Sequence, residues 1–299
     1  MNHFTDRDKD IERGLRLMSG LGEVMPEEAG ENTNAVYEDI QTRLRVPFVN
    51  FLFRTLANYP DYLSFAWGRL SPQLLSADFE RAAGDLRSRA LIEPAPERLK
   101  FDPVAGDDLE KVRAFTDTIH YVLPKLLLVA TAFDEGLGGA SCAGTAAPNA
   151  VEPGVAKGTL ALPMVSSEEA GEELSALFGR IRERHGHPDV ASYYRGLGNW
   201  PALLQDLWGR LESLVGSDAY AGRKQELLGR SRDAVCAMPL PERSEVLGLG
   251  LGEGDVEDLR GILAVFRFRV VPDTFLEVQV IKALLDGREA ALSSRFSFV

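Results

Sequence analysis

Cysteine is scarce in this 299-residue sequence: the two residues, Cys142 and Cys236, lie far apart and form no CxxC pair. A disulfide framework is therefore not expected, and Cys142 reads as a linker residue and Cys236 as a core residue. Histidine is nearly as rare, at four residues. Long apolar runs are missing too. The longest, Tyr121 to Phe133, is interrupted by Pro124 and Lys125 and falls short of the roughly 20 residues that span a bilayer. The N-terminal MNHFTDRDKDIERG contains no apolar stretch of the kind a secretory signal needs. Basic side chains are outnumbered 33 to 45, giving a net charge of −12, which repels phosphate backbones and anionic lipid. The expectation is a cytoplasmic protein with no nucleic-acid and no membrane partner.

What is present is a repeat. LANYPDYLSFAWGRL at Leu56–Leu70 returns as LGNWPALLQDLWGRL at Leu197–Leu211, with Trp67 and Trp208 also 141 residues apart. The same offset pairs Tyr37 with Phe178, Ile40 with Ile181 and Arg54 with Arg195. Downstream, RSR at Arg87 returns at Arg230, and YVLPKLLL resembles RVVPDTFL at slowly growing offsets. Small loop insertions account for that drift. The period far exceeds that of solenoid repeats, so it indicates duplication of a whole helical domain.

Each copy reads as helical. AVYEDIQTRLR places Val36, Tyr37, Ile40 and Leu44 on one face, behind Asn34 as the expected N-cap. The Asn-x-Pro of each twin suits a joint between two helices, with Pro60 and Pro201 at the first helical position. Trp67, Leu70, Trp208 and Leu211 should face the core. FRFRVVP offers the best strand signal, but its alignment with the segment ending at Pro124 argues for helix. The expected fold is all-α, with two tandem helical repeats packed as an intramolecular pseudo-dimer and a shared cleft between them. The expected divisions are an acidic, partly mobile N-terminal segment (1–33), repeat one (34–136), a Gly/Ala/Pro-rich linker (137–166) and repeat two (167–299). A homodimer is compatible with this plan.

Motifs for chemistry are few. HGHPD brings together His185, His187 and Asp189, but i, i+2 spacing does not align two ligands on one helix face, and the phrase reads as a surface turn. GGASCAG departs from a nucleophile elbow, and GLGLGEGD carries Glu253 and Asp255 where a phosphate would sit. No metal and no cofactor are expected.

Five segments in order, VYEDIQTRLRVPFVNF, LANYPDYLSFAW, LPKLLLVATAF, ASYYRGLGNWPALL and LLDGREAALSSRF, resemble the group I 2-haloacid dehalogenases, which act on both enantiomers of short 2-haloacids. The resemblance spans roughly Val36 to Val299. It implies an all-helical fold of two similar repeats with a haloacid bound between them, and an aspartate that activates a water to displace halide directly. In this sequence the position of that aspartate, after Ala191-Ser192, falls on Tyr193, and that of the asparagine before Pro-Lys falls on Leu123. A tyrosine, with a reference pKa near 10, is a poor base at neutral pH; leucine is none. The resemblance further implies a pocket wall of Phe48, Asn50, Phe51, Leu126, Ala191 and Ser192.

Asp189, one turn before Tyr193, and His120, three residues before Leu123, are candidate substitute bases, although Asp189 also suits an N-cap near Val190 and His120 a core or rim position. Arg54 and Arg195 offer counter-charge to a bound acid, or else surface salt bridges. Three readings follow: a diverged homologue binding a small organic acid, an active hydrolytic dehalogenase with a displaced carboxylate, and a non-catalytic partner-binding protein.

Overall fold

The computed structural model describes residues 6–99, 104, 106–140 and 148–297. These residues form helices and connecting coil, with no strand beyond an isolated bridge between Ser76 and Asn149. Cys142 lies outside the described residues, and Cys236 is exposed rather than in the core because it sits just past a helix end.

A first helix, α1 (Asp6–Met18), precedes α2 (Glu31–Leu44), α3 (Phe51–Leu56), α4 (Pro60–Leu70), α5 (Ala77–Arg89) and the 32-residue α6 (Gly106–Leu137). There follow α7 (Glu172–His185), α8 (Ser192–Leu197), α9 (Pro201–Leu211), α10 (Asp218–Val235), α11 (Arg243–Leu247), α12 (Glu253–Val265), α13 (Val271–Asp286) and α14 (Arg288–Leu292). The boundaries of α2, α3 and α4 return in α7, α8 and α9 at the 141-residue offset.

The chemistry at the joints returns with them. Asn58 Nδ2 donates to Thr55 O at the end of α3 and to Gly22 O in the preceding segment; Asn199 Nδ2 does the same with Gly196 O and Pro163 O. Each asparagine thus satisfies a helix-terminal carbonyl before the proline starts the next helix. Ser76 and Ser217 both cap the following helix. Upstream, Val24 N–H bonds to Arg54 O and Val165 N–H to Arg195 O, and the sequences VMPEEAGE and VSSEEAGE share the offset. Helix α2 begins at Glu31 behind Gly30, not behind Asn34, whose amide turns back to Ala29 O. The acidic first turn supplies the stabilisation expected of an N-terminus. Arg45 ends α2 with φ 65°, where its counterpart Gly186 ends α7 with φ 63°, so both copies use one left-handed stop.

Helices α6 and α13 pack on each other and are buried along most of their length. Pro124 lies inside α6 and cannot donate to His120 O. Arg87, from α5, compensates: its Nε–H and Nη2–H donate to the carbonyls of His120 and Tyr121. Ahead of α13 a π-helical turn, Phe266–Val270, widens the helix just before Pro272, which explains why FRFRVVP carries mixed signals in sequence. The N-terminal α1 is seated on α12, burying Ile11, Gly14 and Met18; a Cβ on Gly14 would stand 2.0 Å from Gly261 O. None of the helices among the described residues is long and apolar enough to cross a membrane.

Candidate functional site

Two helix starts and two long helices meet around a cavity of about 60 Å³. The N-terminus of α3 brings Asn50 and Phe51, and the N-terminus of α8 brings Ala191, Ser192 and Tyr193. At the 141-residue offset Asn50 corresponds to Ala191 and Phe51 to Ser192, so corresponding segments line one space. One face of α6 adds Ile119, Val122, Leu123 and Leu126; the π turn and α13 add Phe266, Val270, Val271 and Thr274. Tyr193 and Leu123 therefore border the same cavity. A second cavity, of about 80 Å³, shares Asn50, Phe51, Ile119 and Ser192 with the first and is further lined by Phe48, Arg54, Phe115 and Met164.

Tyr193 is held tightly. Its hydroxyl hydrogen-bonds Thr116 Oγ1 at 3.0 Å, its ring stacks on Phe115 at 5.6 Å, and burial pushes the phenol well above its ordinary pKa. Gly196, one turn further along α8, makes this possible: a Cβ there would lie 2.6 Å from the Phe115 ring. Gly196→Ala is expected to cost about 1–3 kcal/mol by overpacking and to disturb the Tyr193–Phe115 stack, read as a lower urea midpoint and altered tyrosine fluorescence.

Anchors on the far side of each long helix fix which residues face the cavity. Lys125, next to Pro124, turns away and pairs with Glu80 at 2.5 Å and Tyr121 Oη at 2.7 Å. Burial lowers the Lys125 pKa to about 8, against the pull of Glu80. In α13, Asp273 follows Pro272 as Lys125 follows Pro124, and it pairs with Lys224 at 2.7 Å. The charge signs are reversed between the copies, but each anchor turns its helix the same way, leaving apolar side chains at the cavity.

Neither substitute base lines either of these two cavities. Asp189 is half-exposed, bonds the Val190 N–H and approaches Arg195 at 4.0 Å; it is no N-cap, since α8 starts at Ser192. His120 is buried on the opposite side of α6, with Nε2 at 3.0 Å from Ala291 O, which requires the Nε2–H tautomer. Burial, helped by Arg87, lowers its pKa to about 3. The native state therefore holds His120 neutral, whereas the unfolded chain protonates it below about pH 6.5. Its stabilising contribution is complete above pH 6.5 and is lost as pH falls towards 3, at about 1.4 kcal/mol per pH unit. His120→Gln is expected to flatten that part of the stability profile, measured by urea unfolding between pH 4 and 7.

Arg54 and Arg195 are not surface pairs. Arg54 is 4% exposed; it pairs with Glu23 at 2.6 Å, donates to Val49 O, and lies 3.4 Å from Ser192 Oγ. Arg195 reaches the same Glu23 at 3.4 Å. One carboxylate thus bridges two guanidiniums that correspond at the repeat offset.

The expected surface turn at HGHPD is a buried network instead. His185 pairs with Glu277, and His187 with Asp273 at 3.1 Å, the two rings stacking at 4.6 Å. Tyr194 and Tyr220 also donate to Glu277. The left-handed Gly186 folds the histidines back under α9 and α10 onto carboxylates about ninety residues away in sequence, a partnership that local spacing does not reveal. Among the described residues no group of three or more His, Cys, Asp or Glu is arranged to hold a metal ion. Thr116, Ile119, Val122, Val270, Val271 and Thr274 were not expected at the site. The i, i+3, i+4, i+7 face through Ile119, Val122, Leu123 and Leu126 was the available signal.

An all-α chain whose helix boundaries recur at a fixed offset has relatives of known activity. The family model described as halocarboxylic acid dehydrogenase DehI matches residues 47–194. A configuration-inverting 2-haloacid dehalogenase of Alcaligenes xylosoxydans xylosoxydans is 32% identical over 276 residues, covering 88% of this chain and 93% of the relative. An (R)-2-haloacid dehalogenase of Pseudomonas putida is 28% identical over 263 residues, 80% of this chain and 85% of that one. A solved D-2-haloacid dehalogenase in complex with L-LA superposes with a TM-score of 0.79 at 25% identity, covering 91% of this chain and 96% of the other. The chain belongs to the 2-haloacid dehalogenase family.

Proposed function

We propose that this protein is a divergent member of the group I branch, a pseudo-dimer of repeats 34–136 and 167–299 joined by 137–166 and preceded by segment 1–33. On this reading its inter-repeat cavity binds a small organic acid without the water-activating aspartate and asparagine that the resemblance implies. The observation that carries it is the cavity lining: Tyr193 and Leu123 stand there, and neither cavity has a carboxylate among its lining residues. Leu126, Ile119 and Phe266 make the wall apolar, while Asn50 and Ser192 offer polar groups where the two cavities meet and Arg54 borders the second. No cofactor or metal enters this reading.

The descriptions of the relatives as dehalogenases favour a second reading, an active hydrolytic enzyme whose base is a displaced carboxylate such as Asp189. Both readings require acid binding. Racemic 2-chloropropionate is expected to raise the thermal midpoint saturably, by the equivalent of about 2.7 kcal/mol at a hundredfold excess over Kd. Ser192→Trp, which fills the space where the two cavities meet, should remove that shift. A midpoint that no small carboxylate moves would leave only a non-catalytic partner-binding role.

A further inference from the structure

Both cavities are mostly apolar, but they meet at Asn50 and Ser192, and a charged side chain borders only the second. The larger share of the first is aliphatic and aromatic, with Val122, Leu123, Leu126, Phe266 and Val270 around it and no charged group. The second is bordered by Arg54. Burying a carboxylate in the first without a partner is costly, whereas Arg54 in the second has donor capacity in hand. Of its five N–H groups, those with named partners go to Glu23, Val49 O and the long 3.4 Å contact with Ser192 Oγ. Glu23 is shared with Arg195, so two guanidiniums divide one carboxylate there, with Asp189 near Arg195 half-exposed to solvent. At the junction, Asn50 Oδ1 is buried and has no hydrogen-bond partner. A buried acceptor left unpaired is a cost that a ligand donor would remove.

We propose that the two cavities form one bipartite site for an aliphatic 2-hydroxy or related 2-substituted carboxylic acid with a chain longer than that of a propionate. The carboxylate lies against Arg54 and Ser192, the donor on carbon 2 meets Asn50 Oδ1, and the chain enters the compartment bordered by Leu123 and Leu126. This inference rests on the acid-binding reading above and deepens it. Replacement of an amide-bearing position by Leu123 then has a positive consequence, because it builds the aliphatic compartment that selects the longer chain.

The test is calorimetric titration of the full-length protein with 2-hydroxypropanoate, 2-hydroxypentanoate and 2-hydroxyhexanoate, together with pentanoate and 2-hydroxypentanamide. Affinity is expected to rise about fourfold for each methylene buried. It should fall at least tenfold when the carboxylate is replaced by the amide, and severalfold when the 2-hydroxyl is absent. Leu123→Trp should abolish the chain-length gain, and circular dichroism on the same sample establishes that the variant is folded. Equal affinity along the series, or equal affinity for acid and amide, would overturn the bipartite site while leaving acid binding standing. Failure of every acid to bind would overturn the acid-binding reading itself.

Discussion

Halide release from racemic 2-chloropropionate is expected to remain at the uncatalysed rate in the wild-type protein and to be unchanged in Asp189→Asn. Direct displacement by water needs a base within hydrogen-bond reach of that water, and such a base contributes typically 10²–10⁴-fold. At the cavity the titratable candidate is the Tyr193 phenol, which burial holds in its protonated form and which already pairs with Thr116. It donates or accepts a hydrogen bond at neutral pH but does not remove a proton from water. Asp189 is tied to the Val190 N–H, half-exposed, and outside both linings. Halide release clearly above background in the wild type and lost in Asp189→Asn would establish the hydrolytic reading instead. Release lost in Tyr193→Phe but kept in Asp189→Asn would give the phenol a catalytic part that its environment argues against. Ion chromatography of chloride over hours at pH 7 to 9 is the measurement.

The fold was largely legible because its signals are local and repeated. The Asn-x-Pro joints and the tryptophans one turn before each helix end report backbone and core requirements, and both recur at the 141-residue offset. Asn50 and Ala191, and Phe51 and Ser192, pair at the 141-residue offset in sequence, and all four border one cavity.

What was hidden depends on partners remote in sequence. HGHPD looks like a turn because Gly186 and Pro188 are turn residues, and a turn is indeed there. Its burial follows from Asp273 and Glu277, whose carboxylates supply the hydrogen bonds that make an interior site tolerable for imidazole. Asn34 and Asp189 have good capping chemistry, yet each bonds a different backbone group because the helix starts elsewhere. Arg54 reads as a surface cation in a helical pattern; its buried counter-charge is Glu23, from a segment of little periodicity.

Glu277→Gln is expected to destabilise the protein by about 3–5 kcal/mol near neutral or mildly acidic pH, the cost typical of removing one partner from a buried charged pair. Glu277 is 1% exposed and accepts hydrogen bonds from His185, Tyr194 and Tyr220. A neutral amide would present donors to groups that are themselves donors and would leave the imidazolium without its counter-charge. The pH dependence distinguishes charge from packing. Burial disfavours the charged His185, but the Glu277 carboxylate, its hydrogen bond and Asp273 outweigh it, so the pKa of His185 is raised. His187, facing Asp273 and stacked on His185, is instead lowered by burial, and Asp273 is held at about 2, its burial outweighed by His187 and Lys224. A raised histidine pKa contributes stability that is fully present below about pH 6.5 and is lost as pH rises through the folded-state value. The wild-type advantage over Glu277→Gln should therefore be largest at pH 5 to 6 and should shrink toward pH 9, read as the gap between urea midpoints at constant m. A gap of the same size across that range would show that Glu277 acts by shape and neutral hydrogen bonding, and that His185 stays uncharged in the native protein.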